Sequence, residues 1–333
     1  MVAFDELVMD LCLAEAWRYQ GLTYPNPAVG AAVVKNGRIL SVAAHKRAGA
    51  PHAEVEAIRD AYYALTGDEL VLQIEDALHL HNYLERHSGE LFHDATIYVT
   101  LEPCFHYGKT PPCTFLVRDL GFERIVIGIQ DPNPKATGGA AYLKSRGLEV
   151  RMGVRQKECA DLIEPFLRWS KERFIFFKYA QTINGNLTHG TISNIASRTL
   201  VHALRDRIEL LVIGGNTVRK DRPLLDARLV HGRAPDVLIY SKKLHFDETI
   251  PLFSVKDREV YIEDSFKRLE EYRFIMIEGG EGMLQATRRL VDWYLIFVAP
   301  KSVDGANYRF NKKMEFLHQR NLEGDLVIWS RNG

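Results

Sequence analysis

The sequence predicts two α/β domains in succession. Three observations carry that expectation. The chain has 333 residues, more than one core holds comfortably and enough for two. Short β-branched or aromatic runs alternate with segments of helical period along its whole length. Chemistry-bearing residues fall where such strands end and helices begin, the edge at which α/β sheets place their sites.

Taken in order, residues 4–20 carry Leu7, Leu11, Ala14 and Trp17 at helical spacing, and Pro25 and Pro27 close that region. Residues 28–34 predict a buried strand, Asn36-Gly37 a hairpin turn and residues 38–43 its partner strand. Residues 53–64 are helical, which puts His52 and Glu54 in or beside a first turn. Residues 96–100 are a short strand that leads directly to Cys104. Cys113 follows Pro111-Pro112 and starts another helix, and residues 125–129 are a strand. Between the two parts lies an insert of about residues 66–93, whose leucines predict one or two amphipathic helices. Its four histidines, His79, His81, His87 and His93, read as solvated faces, because no cysteine or tight carboxylate cluster accompanies them.

Residues 1–150 thus form the first domain and residues 151–172 a connecting helix whose buried face carries Glu158, Leu162, Phe166 and Trp169. Residues 173–333 form the second domain. There residues 174–180 are an apolar strand, Asn184-Gly185 a turn and residues 197–206 a helix. Further strands are expected at 210–213, 237–240, 259–262, 274–277 and 294–298.

Bulk properties exclude several classes. Lys plus Arg and Asp plus Glu number 43 each, so no overall field draws in nucleic acid. Four cysteines, Cys12, Cys104, Cys113 and Cys159, are too few and scattered for a disulfide scaffold. The acidic start has no signal-peptide pattern, and no run is long and apolar enough for a membrane span. A reducing cytoplasm is the expected location, where thiolates more often bind metal than pair. Apolar strand faces in the second domain lead us to expect a homo-oligomer, a dimer or tetramer.

The chemistry concentrates in His52-Ala53-Glu54 and Pro103-Cys104 with Cys113. One imidazole and two thiolates can hold Zn2+ and leave the fourth position for water, which is the catalytic rather than the structural arrangement. Glu54 is placed to move that water's protons without being a ligand. His-x-Glu with a later Pro-Cys and a second Cys matches the known zinc-deaminase signature. A structural zinc completed by His106 is the alternative.

The run Thr100-Leu101-Glu102-Pro103-Cys104-Phe105-His106-Tyr107-Gly108-Lys109-Thr110-Pro111-Pro112-Cys113, with Asn26-Pro27-Ala28-Val29-Gly30 and Asp131-Pro132-Asn133-Pro134, closely resembles the RibD family of bifunctional riboflavin-biosynthesis enzymes. Nucleic-acid deaminases of that superfamily usually carry a tight Cys-x-x-Cys, absent here. The resemblance extends more weakly over the second domain, through Gly215-Asn216-Thr217-Val218 to Asp221, Pro223, Leu224 and Arg228, and through Glu278-Gly279-Gly280.

The resemblance implies a cytidine-deaminase-like three-layer first domain and a dihydrofolate-reductase-like second one. It implies zinc-dependent deamination of a diaminopyrimidinone bearing a phosphoribosylamino group, then reduction of the ribosyl group to ribitol by NADPH. It gives Asn26, His45, His106, Lys109, Asp131 and Asn133 to the first substrate. In the second domain it gives Lys178, Arg205, Asp221, Leu225, Arg228 and Glu278 to substrate, with Arg205 and Arg228 on its phosphate. Gln181, Thr191, Thr217 and Gly280 go to the cofactor. The chain departs from the family at Phe105, beside Cys104, where a small residue is usual, and at Asn184, Thr191, Arg222 and Glu281. Arg222 is a candidate for the 2′-phosphate of NADPH. The four departures in the second domain raise an alternative, a deaminase whose C-terminal domain has decayed into a binding or oligomerising module.

Overall fold

The computed structural model describes residues 3–108, 111–133, 137–187, 190–305 and 307–333. The chain divides into two compact units, Met1–Phe166 and Leu167–Gly333.

The first unit begins with α1 (Phe4–Trp17), where the helical period holds but its phase differs from the expected stripe. Val8, Met9, Cys12, Leu13, Ala16 and Trp17 are buried, whereas Leu7 and Leu11 stay 49% and 38% exposed. The helix lies so close to the sheet that a Cβ on Gly30 would sit 2.0 Å from the Cys12 carbonyl oxygen. Strands β1 (Gly30–Lys35) and β2 (Arg38–Ala44) form the hairpin. Its turn residues Asn36 and Gly37 both have positive φ, 52° and 72°, as a two-residue turn of this hand needs. Helix α2 (Ala53–Thr66) stops at Gly67, whose left-handed φ of 72° closes its C-terminus.

The insert folds as a short 3-10 turn, Glu69–Gln73, and α3 (Ala77–His87), capped by the Asp76 side chain accepting from the His79 amide at 2.7 Å. Then come β3 (Ala95–Leu101), α4 (Cys113–Asp119), β4 (Arg124–Ile129), α5 (Gly139–Ser145) and β5 (Glu149–Met152). The sheet order is β2-β1-β3-β4-β5, with β3, β4 and β5 parallel. Residues 31–34 of β1 are buried on both faces, so the sheet is covered on each side and the unit has three layers.

The expected helix from residue 151 is a correction. Residues 149–152 extend the first sheet as its edge strand, and helix α6 runs over Gln156–Lys171. An edge strand buries little, and the charged Glu149 and Arg151 hide its alternation.

One buried charge braces the unit. Asp5 accepts from Tyr98 Oη at 2.7 Å and from Arg124 Nη1 and Nη2 at 3.0 and 2.8 Å, and it also meets Arg151. Burial opposes its charge, but these donors win and hold its carboxyl at about 2. A depressed folded pKa contributes stability above the unfolded value of 3.8, and that contribution is lost as pH falls toward 2. Asp5→Asn is therefore expected to cost about 2 kcal/mol at neutral pH and to flatten the acid limb between pH 4 and 2. Denaturant titrations at both pH values check this.

The second unit contains β6 (Phe174–Thr182), α7 (Ile195–Arg205), β7 (Leu210–Gly214), α8 (Gly215–Asp221), β8 (Asp236–Tyr240), β9 (Val260–Glu263), β10 (Phe274–Glu278), α9 (Glu281–Thr287), β11 (Trp293–Ala299), β12 (Met314–Leu322) and β13 (Asp325–Asn332). Its eight strands run β12-β13-β11-β6-β10-β7-β8-β9. The six from β11 to β9 are parallel, which accounts for continuous apolar runs such as Phe174-Ile175-Phe176-Phe177, all buried. The β12–β13 hairpin at one edge was not expected from the sequence. In β12, Glu315, His318, Gln319 and Arg320 mask the strand period.

Candidate active sites

In the first unit, the end of β3 and the start of α2 meet at a cavity of about 270 Å³, and the start of α4 brings Cys113 against His52. His52 is the N-cap residue of α2, extended at φ −68° and ψ 162°, so its ring stands clear of the helix. Its Nδ1 lies 3.8 Å from Cys104 Sγ and 3.4 Å from Cys113 Sγ. Zinc held tetrahedrally at about 2.0 Å from nitrogen and about 2.3 Å from sulfur sets N···S near ~3.6 Å, between these two values. The residues therefore fit a zinc ion. Among the described residues this is the one cluster of three metal-ligating side chains, and of the insert histidines, expected on solvated faces, His81 is buried.

The backbone amide of Cys113, first residue of α4, donates to Cys104 Sγ at 3.3 Å. Hydrogen bonding by Cys113 pulls the Cys104 thiol well below the usual thiol range, and the same pairing, with burial, pushes Cys113 up. Glu54 is buried two residues into α2 and lines the same cavity. Burial pushes its carboxyl up to about 7, against the pull of His52 and of a hydrogen bond from Cys113. A carboxyl so poised can both take and give a proton near neutral pH.

Asn26, His45, His106, Asp131 and Asn133, residues that the resemblance gives to the first substrate, all line this cavity. His45, however, spends both ring nitrogens inside the protein. Nδ1 faces the Pro51 carbonyl at 3.0 Å and Nε2 faces Asn26 Nδ2 at 3.1 Å. Burial pushes it down to about 4, so it is neutral and orients the Asn26 amide. Lys109 lies outside the described residues. Phe105 does not line the cavity. Its ring packs on Tyr142 at 4.8 Å and Phe115 at 6.0 Å, so its bulk leaves the pocket beside Cys104 open.

In the second unit, the carboxyl ends of β6, β7 and β10 open into a cavity of about 820 Å³. Lys178, Thr191, Arg205, Thr217, Asp221, Glu278 and Gly280 line it. At its floor Arg205 Nη2 binds both Glu278 carboxylate oxygens at 3.0 and 3.1 Å, and Lys178 Nζ lies 3.8 Å from Oε2. Burial pushes Lys178 down, while Arg205 and then Lys178 overcome burial to hold Glu278 below the usual carboxylate range. A Cβ on Gly280 would meet nothing within 4 Å, so backbone there is open to a ligand.

Three expected contacts fall elsewhere. Arg228 is 56% exposed and pairs with Asp226 at 2.5 Å, away from the cavity. Leu225 is buried in the loop at φ 56°. Gln181 does not line the cavity, though its Oε1 is buried and unpartnered among the described residues. The sequence reading missed Arg198, His202 and Lys220, which do line it. Arg198, His202 and Arg205 fall at i, i+4 and i+7 of α7, a polar stripe that helical spacing makes visible. Glu102 also lines the first cavity and was quoted in the motif without a role.

Of the four departures, only Thr191 lines the cavity. Asn184 receives Thr182 Oγ1 at 2.7 Å and donates to the Val303 carbonyl at 2.8 Å. Arg222 reaches Asp247 and Thr249, both at 2.6 Å, which corrects its assignment to a cofactor phosphate. Glu281 accepts from the Arg309 amide at 3.1 Å.

Residues 2–129 match the zinc-binding region of cytidine and deoxycytidylate deaminases, and residues 173–325 match the RibD C-terminal domain. Fold and sites thus define a zinc-binding deaminase domain joined to a reductase domain of dihydrofolate-reductase-like fold. The riboflavin biosynthesis protein RibD of Aquifex aeolicus is 33% identical over 89% of this chain and 87% of its own, and that of Mycobacterium tuberculosis 31% over 91% and 87%. The diaminohydroxyphosphoribosylaminopyrimidine deaminase/5-amino-6-(5-phosphoribosylamino)uracil reductase of Thermotoga maritima superposes with a TM-score of 0.66 at 28% identity, covering 99% of both chains. RibD of Acinetobacter baumannii gives 0.64 at 25%, again over 99% of both. The chain belongs to the RibD family, the bifunctional deaminase and reductase of riboflavin biosynthesis.

Proposed function

We propose that the first unit deaminates 2,5-diamino-6-(5-phosphoribosylamino)pyrimidin-4-one with zinc on His52, Cys104 and Cys113, and that the second reduces the ribosyl group of the product to ribitol with NADPH. The placement of buried Glu54 in one cavity with His52 and Cys104, two of the three clustered ligand residues, carries the reading. The name of the Thermotoga relative supports the substrate. When bound, zinc lowers the pKa of a coordinated water to about 7. Glu54 takes a proton from the attacking water and passes protons to the ring nitrogen and the departing ammonia. Asn26, held by His45, and Asp131 and Asn133 read the polar edge of the ring.

In the second unit NADPH supplies the hydride. Lys178 and Glu278 orient the ribosyl group, and Arg205 with Arg198 and Lys220 offers positive charge to phosphate. Three of the four departures serve bonds outside the cavity, which argues against a decayed reductase. Zinc-loaded protein given the diaminopyrimidinone and NADPH is expected to consume NADPH, read as falling absorbance near 340 nm. Deamination without any such fall would remove the reductase half.

A further inference from the structure

We propose that Glu102 is a positioning residue for deamination, resting on the reading above. It ties the zinc-ligand strand to the loop that carries Asp131 and Asn133. Glu102 directly follows β3, two residues before Cys104, and the residue is 4% exposed. Oε1 accepts from the Gly138 and Ala140 amides at 3.2 and 2.8 Å. Oε2 accepts from the Asp131 amide at 3.1 Å and Thr137 Oγ1 at 3.0 Å. Four donors fill the four lone-pair positions of a carboxylate. Glu102 therefore has no capacity left for substrate or for proton transfer, although it lines the cavity.

What it holds is specific. The Gly138 and Ala140 amides belong to the N-cap and first turn of α5, which has no cap from its own side chain. The Asp131 amide fixes the start of the loop, and the Asp131 carboxylate then fixes the Asn133 amide at 2.8 Å. The start of α5 is pressed against the motif, because a Cβ on Gly139 would sit 2.3 Å from the Pro103 carbonyl oxygen. One buried carboxylate thus sets the distance between the metal ligands and the two ring-reading residues. Glutamine cannot replace it: one amide oxygen accepts at most two of the four donors, and its NH2 faces the others.

The test uses the full-length, zinc-loaded protein. Glu102→Gln is expected to raise the deaminase KM about tenfold or more, the worth of one or two lost charge-assisted bonds, while kcat stays within about threefold. Zinc content and NADPH consumption by the second unit should be unchanged. Thr137→Val, which removes one donor and leaves Glu102 intact, is expected to give a smaller rise of about threefold in KM. Hydrogen exchange supplies a readout independent of turnover. The Asp131, Gly138 and Ala140 amides should exchange at least about tenfold faster in Glu102→Gln, with the β3 and β4 amides unchanged. That measurement decides the role of Glu102 even if the pyrimidine proves not to be the substrate. Unchanged KM in both variants, unchanged exchange at the three amides, or zinc loss with equal falls in both activities would each overturn the proposal.

Discussion

Glu54→Gln is expected to lower the rate of deamination about a thousandfold with one zinc per chain retained, since general acid–base catalysis is typically worth between ~10² and ~10⁴. The amide keeps the volume of a buried side chain and leaves His52, Cys104 and Cys113 in place, so metal binding has no reason to change. What it removes is a cavity carboxyl that sits two residues from His52 and that burial pushes up to about 7. Glu102, the other glutamate there, has no free lone pair to take over. Metal analysis beside steady-state kinetics separates the outcomes. Full activity in the variant would refute the role of Glu54, and zinc loss would make it a structural residue.

In the second unit, Glu278→Gln is expected to destabilise by about 3 kcal/mol, because it strips the one carboxylate that, among the described residues, Arg205 and Lys178 share and leaves two mostly buried cations uncompensated. For a unit of this size that corresponds to a fall of roughly 6–12 °C in its unfolding midpoint. Reduction should fall with it, and deamination measured below the new midpoint should not. An unchanged midpoint would mean that the ion cluster is solvated in solution and that the floor of the cavity is not preorganised.

The deaminase centre was legible because its signal is local. His52 and Glu54 sit two apart, and Cys104 and Cys113 sit in one motif at a strand end and a helix start, so no long-range geometry was needed to group them. His45 was legible as a site residue but not as a positioning one, since its use of both nitrogens depends on Pro51 and Asn26 coming together. In α1 the period was readable and the phase was not. The choice between Leu7 and Val8 is made by the sheet behind the helix, which here reaches the Cys12 backbone through Gly30.

The second cavity was less legible because its lining comes from four separated stretches of chain, each weak alone. Arg228 and Arg198 are both arginines at plausible positions. Only the folded loop shows that Asp226 claims the first and leaves the second to the cavity. Strands β5 and β12 were hidden for the opposite reason: as edges they bury little, and their charged residues erase the alternation.

The sequence by itself determined the α/β plan and the family and singled out the candidate zinc ligands and acid–base residue, because these rest on spacing and residue chemistry within short segments. Tertiary structure alone decided which cations face the second cavity, that Phe105, Arg222 and Asn184 serve packing and local bonds, and that Glu102 braces the loop of Asp131. The bonds of Glu102, Asn184 and Arg222 depend on which donors and acceptors meet across 25 to 119 residues of chain, and a buried polar group is defined by the partner that satisfies it.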